Sequence, residues 1–495
     1  MTSVPDNDQH PGRESLSQSF RVYILGMFLL KALGFVRGIV FARLLGPEQY
    51  GKFILLFGII AICEPIFVLG IPAVYMRFAP RYEMSNSLRP FFIRLFLIAV
   101  SGTVIGCGMI ILFSDHIAAQ ILHNEEFATS LLIVGLSIIP FGMFHLIYTA
   151  FQGLRKYLQS VTVQIGQMIL FLGGGAVLIL MFKNYKAAIL SFTIACTVVS
   201  LFVLFFIASR YLRKSESNVP GKAKKLYQTT LRFGFWVLLV DTGYELFRYV
   251  DKFFVNGMLS AADVGIYTVA FTLAGPLFFV GTIVGETLMP HISNSFDRGR
   301  KEEAISTINA FVKVSFLILA NVIAVLACFR VPLVTLLYGS PYAGSAELLP
   351  IFLIYFAVFS IHMIFMLYAY LLEKPFFGFV AVFCGVGVIC AGNLILIPIL
   401  GLVGAACCSA VGGVVMLSVN LLLVRRYGFK VDARIIILFA AIVVGAFGTV
   451  WTMLLVLAAN ILLLRQNVVF NKNEREMIVN IARDFKKFAK RDGEQ

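Results

Sequence analysis

Charge is scarce in this chain. Only 14% of its 495 residues are charged, against 59% that are hydrophobic. A soluble protein of this length needs far more polar surface, and no soluble core could hide so many apolar side chains. A bilayer is the solvent they fit. Acidic residues are the scarcer sign, 26 against 41 basic, for a net charge of +15. The basic residues sit mostly between apolar runs. With no solvated basic domain to carry it, nucleic-acid binding is excluded, and the charge reads as membrane topology.

Further absences narrow the chemistry. The eight cysteines all lie inside apolar runs, form no C-x-x-C pair and have no metal spacing, so they act as small hydrophobes. No metal and no cofactor is implied. Gly46 to Lys52 reads Gly-Pro-Glu-Gln-Tyr-Gly-Lys, a near match to a phosphate loop. Phe53 stands where Ser or Thr would close that motif, and the segment joins two apolar helices where a phosphate loop joins a strand to a helix. With no other ATP motif, any movement of a solute across the bilayer would have to draw on an ion gradient, the solute's own gradient or a partner. There is no H-E-x-x-H, no G-x-S-x-G and no large outer loop with paired acids, which argues against an enzyme, a membrane glycosyltransferase or polymerase included. Residues 1–19 are polar and read as a disordered cytoplasmic tail. No short apolar region with a small-residue cleavage site is visible, so the run from Phe20 is expected to be a retained span.

What is present is a succession of apolar runs of bilayer-crossing length. They lie near 20–44, 52–76, 91–113, 129–151, 158–181 and 187–209, then near 233–256, 265–289, 310–330, 347–371, 376–397 and 401–424. Alternate loops are basic: Arg77, Arg81 and Arg89; Arg155 and Lys156; seven cations from Arg210 to Arg232; Arg298, Arg300 and Lys301; Arg425, Arg426, Lys430 and Arg434. The positive-inside rule then places the N-terminus in the cytoplasm. Residues 435–464 are long for one span and short for two; a hairpin turning near Gly445 and Gly448 would keep the basic tail inside. Residues 465–495 read as an amphipathic cytoplasmic helix, with Ile478, Ile481, Phe485 and Phe488 on one face.

The two halves repeat. Gly46–Gly51 and Ser260–Gly265 each close an apolar helix and open another. Leu154-Arg-Lys-Tyr corresponds to Leu372-Glu-Lys-Pro, and Asn184–Ala188 to the segment around Gly401–Ala405, all at a nearly constant offset. The reading is an all-α polytopic protein: an N-lobe at 20–209, a basic linker at 210–232, a C-lobe at 233–424, and one or two extra helices. Six spans per half imply a parallel repeat about an axis along the membrane normal, with a cavity between lobes that rock against each other.

Leu44–Gly51 resembles the L-G-P-x-x-Y-G signature that follows the first helix of polysaccharide flippases, within the multidrug/oligosaccharidyl-lipid/polysaccharide exporter superfamily. Asp251-Lys252 followed by Gly265-Ile-Tyr267 is similar to a segment of their seventh helix, and Pro290–Ser293 to the end of their eighth. The resemblance runs along residues 20–424. It departs at the end, where the family often carries two full helices and this chain has the compressed 435–464 segment. It implies a V-shaped pair of six-helix bundles in the plasma membrane. It also implies flipping of a polyprenyl-diphosphate-linked oligosaccharide by alternating access for surface polysaccharide biosynthesis, with membrane lipids and glycan polymerisation machinery as further partners. A multidrug or lipid II exporter of the same fold is the nearest alternative.

Charges inside spans are the site candidates. Asp241, Glu245, Arg248 and Lys252 share one helical face. They form either a self-neutralising ladder or a cavity wall, in which Arg248 or Lys252 meets phosphate and Asp241 or Glu245 takes a coupling ion or proton. Lys31 and Arg37 lie deep in the first span. A guanidinium pairs bidentately with phosphate, though Arg37 could instead pair with Glu64 or Asp241. Glu64 and Glu286 are lone acids suited to proton coupling or to structural hydrogen bonds. His145 and His362 read as packing residues. Gln152, Gln164 and Gln167 suit either sugar hydroxyls or helix contacts. Pro65, Pro72, Pro140 and Pro276 are kinks or hinges.

Overall fold

The computed structural model describes residues 16–84, 88–211, 223–374, 376–465 and Glu474. Among the described residues every regular element is helical. In chain order these are α1 (Leu16–Phe67), α2 (Ile71–Met84), α3 (Leu88–Leu112), α4 (Ser114–Gln120), α5 (Phe127–Gly153), α6 (Tyr157–Phe182), α7 (Tyr185–Tyr211) and α8 (Ala223–Met258). There follow α9 (Ala261–Ala274), α10 (Phe278–Asp297), α11 (Lys301–Cys328), α12 (Arg330–Tyr338), α13 (Ser345–Leu371), α14 (Phe376–Arg425), α15 (Arg434–Ala446) and α16 (Val450–Arg465). Lipid offers the backbone no hydrogen-bond partner, so apolar runs of this length can only coil into helices.

Nine stretches among the described residues are long and apolar enough to cross a bilayer. Two of them hold two spans each. α1 is bent at Gly46, where φ is 72°, and α14 at Gly401, where φ is 57°. α8 is not among the nine, because its charged stripe makes it too polar. The second span breaks at Leu69 and Gly70, between Pro65 and Pro72, and the eighth breaks at a 3₁₀ turn over Gly275–Leu277 that contains Pro276. Pro140 sits inside an unbroken α5. The short helices α4 and α12 were not expected; each is too short to register as a span. α1 is already helical at Leu16, inside the segment read as a tail. Residues 1–15, 212–222 and all but Glu474 of the tail beyond Arg465 lie outside the described residues.

The helices form two lobes. α1 to α7 pack on one another, as do α8 to α14, and α15 and α16 lie against α11. The chain's alternation puts Arg89, Arg155, Lys156, Arg298, Arg300, Lys301, Arg425 and Arg426 at or next to helix ends on one side, here called the basic face. On the opposite face the lobes meet directly, and the contact is reciprocal. Gly51 of α1 lies against the carbonyl of Ala261, and Gly265 of α9 against the carbonyl of Pro47. Positions 51 and 265 are 214 apart, as are 47 and 261. The repeated motifs thus touch across a pseudo-two-fold axis, each offering the other the same surface. Either glycine's Cβ would overlap backbone. Around this contact Arg43 donates to the carbonyls of Leu336 and Leu337, Tyr342 donates to Ala42 O at 2.8 Å, and Asn256 donates to Leu122 O at 2.7 Å.

Residues 434–465 form a hairpin. α15 runs alongside α11 in the same direction, from Asp432 beside Lys313 to Gly448 beside Ala327. Gly448 turns the chain with φ of 68°, a region open to glycine. α16 then returns, and Asn460 donates to Asn321 at 2.9 Å. Fully buried Lys313 binds Asp432 at 2.5 Å and Glu474 at 2.8 Å. At Asp432 partial burial favours the neutral acid, but Lys313 and the backbone N–H of Arg434 outweigh it, so the carboxyl titrates below its ordinary range. Its stabilising contribution is therefore present above the unfolded-state pKa and lost as pH falls through the lower folded value.

Two expectations follow. Gly51→Val overpacks a backbone contact, a change that costs about 1–3 kcal/mol; disulfide formation between Leu122→Cys and Asn256→Cys should fall in that background. Lys313→Ala leaves two carboxylates facing a buried vacancy, which costs about 3–5 kcal/mol. It should lower the thermal midpoint in detergent, and Asp432→Asn with Glu474→Gln should restore part of it.

Candidate functional site

α1 and α8 face each other across the lobe boundary, with Tyr249 packed on Gly58. Between them lies a cavity of about 640 Å³, also bordered by α9, α13 and Met168 of α6. Its walls are aromatic, with Phe53, Phe57, Phe271, Phe278, Phe279 and Phe359 among them, and the polar groups are few. Lys31 and Arg37 enter from α1; Glu245, Arg248 and Lys252 enter from α8. The sequence-derived residues of the first and seventh spans therefore do converge on one place.

Their electrostatic states differ. Arg37 is half-buried, its guanidinium 4.7 Å from the ring centre of Phe171 and 5.6 Å from that of Phe57. Among the described residues no carboxylate lies within ion-pair distance of it. Stacking on aromatic faces supports the cation without neutralising it. Lys31 is exposed and lies over Phe279. Arg248 is 54% exposed and reaches Glu245 at 3.2 Å, one turn away, a pair that water weakens. Lys252 is different: it is 2% exposed, with Nζ 2.5 Å from the Arg248 carbonyl and 3.2 Å from Asp251 Oδ1. Asp251 in turn accepts from Tyr267 at 2.6 Å and Ser409 at 3.0 Å. The Lys252 charge is thus neutralised within its own lobe, where it fixes α8 against α9 and α14. Setting that pair aside, the described lining residues include the cations Lys31, Arg37 and Arg248 and the acid Glu245.

The remaining candidates lie elsewhere. Glu64, 5% exposed in side chain, accepts from or shares a proton with His145 Nδ1 at 2.7 Å, so it does not pair with Arg37. Asp241 is exposed, one turn nearer the basic face than Glu245, within electrostatic reach of both. The Glu286 side chain lies outside the described residues. Gln164 donates to Ser160, and Gln167 to Cys196, both inside the N-lobe. His362 is fully buried between Tyr244 and Asn420, a packing environment. Sequence reasoning undervalued His145, which is 81 residues from Glu64 and carries no local signal. It also missed the aromatic platform of Phe57 and Phe171. For Asp251 a signal existed, since a buried acid adjoining a buried lysine is expensive unless they pair.

With this geometry in place, comparison with known proteins decides the family. Residues 16–296, more than half of the chain, match the polysaccharide biosynthesis protein family. The chain belongs to that family. Two uncharacterised membrane proteins of Methanocaldococcus jannaschii are similar to it. One is 20% identical over 415 residues, covering 80% of this chain and 81% of the relative; the other is 22% identical over 432 residues, covering 82% and 97%. Among solved structures, the lipid II flippase MurJ in an inward closed conformation superposes with a TM-score of 0.68 at 17% identity, covering 92% of this chain and all of MurJ. An inward-facing multidrug resistance MATE family transporter gives 0.60 at 14%, covering 85% and 98%. The chain is therefore a multi-pass membrane protein with the fold that these two transporters share.

The aromatic support of Arg37 is testable. Phe57→Leu with Phe171→Leu removes a contact worth about 0.5–2 kcal/mol. It should raise the KM for transport about 2- to 30-fold, with membrane insertion unchanged, as read by kinetics in proteoliposomes and by the level of inserted protein.

Proposed function

We propose that this protein flips a polyprenyl-diphosphate-linked oligosaccharide across the plasma membrane, with its N-terminus in the cytoplasm, for surface polysaccharide synthesis. Residues 20–209 and 233–424 are the rocking lobes, joined by 210–232. The observation that carries the reading is the Arg37 guanidinium, unpaired with any described carboxylate and held on aromatic rings inside a cavity between the lobes. A half-buried cation without a counter-ion still carries a cost, and an anionic substrate group would relieve it. A guanidinium suits a diphosphate because its fork matches two phosphate oxygens. Lys31 and Arg248 border the same space as further anion partners, with Lys252 as a positioning residue beneath Arg248.

The phenylalanine-rich walls suit an isoprenoid chain next to the headgroup. Closure at the opposite face, with basic helix ends on the other, fits a cavity loaded from the cytoplasm. Asp241, Glu245, Glu64 and Glu286 are the acids available for ion coupling. A lipid II exporter is the second reading, favoured by the fold likeness to MurJ; its substrate presents the same diphosphate chemistry.

The test is flipping in proteoliposomes of two probes, a fluorescent polyprenyl-diphosphate oligosaccharide and lipid II. Arg37→Ala should reduce flipping of the favoured probe at least about 100-fold, as expected for loss of a charge-assisted bidentate contact worth about 3 kcal/mol. Arg37→Lys should recover only part of it, while both variants insert normally. Undiminished flipping in Arg37→Ala and in Arg248→Ala would remove the diphosphate assignment, and preference for lipid II would replace the first substrate with the second.

A further inference from the structure

A second polar cluster lies outside the cavity lining. His145 of α5 and Glu64 of α1 meet at 2.7 Å within one lobe, and Asp241 of α8 faces them from the other. We propose that these three groups form a proton-binding site that governs closure of the basic face. The proposal deepens the transport reading by naming the coupling ion, and its test needs no substrate.

The geometry supplies the argument. Glu64 is 5% exposed and His145 26%, so the pair is nearly withdrawn from water, while Asp241 remains exposed. The imidazole lies flat on Tyr148, ring centres 5.0 Å apart and planes within 13°, which fixes Nδ1 toward Glu64. The other titratable groups facing the cluster are Glu245 and Tyr244 on α8 and Tyr370 on α13; Glu245 is occupied by Arg248. No described cation makes an ion pair with Glu64 or Asp241 other than His145. α8 already touches the N-lobe on both sides of Asp241, through Tyr249 on Gly58 and Gly234 on Gly70.

The charge count then links protonation to movement. Two carboxylates and one imidazole carry one negative charge when the imidazole holds both ring protons, or shares the second with Glu64. One more proton, bound from water to a carboxylate oxygen, makes the cluster neutral. While the basic face is open, Asp241 is solvated and its charge costs little. Closing that face draws α5 and α8 together and takes Asp241 out of water, where an uncompensated charge is expensive. Closure and uptake of that proton therefore favour each other, as linkage requires. An imidazole nitrogen on a carboxylate oxygen at hydrogen-bond distance is a contact that shares a proton.

The test follows the opposite face, which must open as the basic face closes. Spin labels on Lys183→Cys and Leu336→Cys, exposed positions of different lobes on that face, are placed in the full-length, otherwise cysteine-free chain in liposomes. Their distance distribution is measured at about pH 8 and about pH 5.5, on either side of the ordinary histidine range. The longer-distance population should grow about tenfold at the lower pH. Glu64→Gln with Asp241→Asn should give that population at both pH values. Hydrogen exchange of residues 330–345 in the wild-type chain, corrected for intrinsic rate, gives the same reading without labels, and protection there should fall at the lower pH. A distribution and an exchange pattern that ignore pH, a pH response that survives in the double variant, or a response to sodium at constant pH would each overturn the proposal. No lipid-linked sugar is present, so failure to flip that substrate leaves this outcome untouched.

Discussion

The rest of the structure depends on a contact between two glycines and two carbonyls. Gly51 against Ala261 and Gly265 against Pro47 bring the lobes to backbone distance on one face. No side chain could stand between them. Because each motif presents to its counterpart what it receives, the contact also sets the pseudo-two-fold relation of the lobes. The cavity between α1 and α8 lies beneath this contact. The surrounding bonds from Arg43, Tyr342 and Asn256 all donate to carbonyls at helix ends or in loops. Such bonds could be exchanged for water, as the proposed opening of this face requires.

Charge inside the membrane follows a consistent logic. Lys252 is matched by Asp251, Lys313 by Asp432 and Glu474, and Glu64 by His145. Each pair ties one helix to another: α11 to the C-terminal hairpin, α1 to α5, and, through the bonds of Asp251 to Tyr267 and Ser409, α8 to α9 and α14. Arg37 departs from that logic and rests on phenyl rings instead. In a medium where uncompensated charge is expensive, this departure is the feature on which the proposed anionic cargo rests.

Much of this was legible in the sequence. Scarce charge and long apolar runs determined an all-α membrane protein, because a bilayer leaves the backbone no other hydrogen-bonding solution. The near-constant offset between Gly46–Gly51 and Ser260–Gly265 disclosed the repeat. Helical periodicity placed Asp241, Glu245, Arg248 and Lys252 on one face, and the depth of Arg37 in its span marked it as costly. Only the tertiary structure decided which of these charges are spent. Periodicity cannot tell that Lys252 turns to Asp251 while Arg248 stays in contact with water, nor that Glu64 meets a histidine 81 residues away. It decided equally that 434–465 turns back at Gly448, since the return rests on Lys313 and Asn321 of a distant helix. Local pattern fixes which face of a helix is polar; what that face meets depends on the packing of helices far apart in the chain.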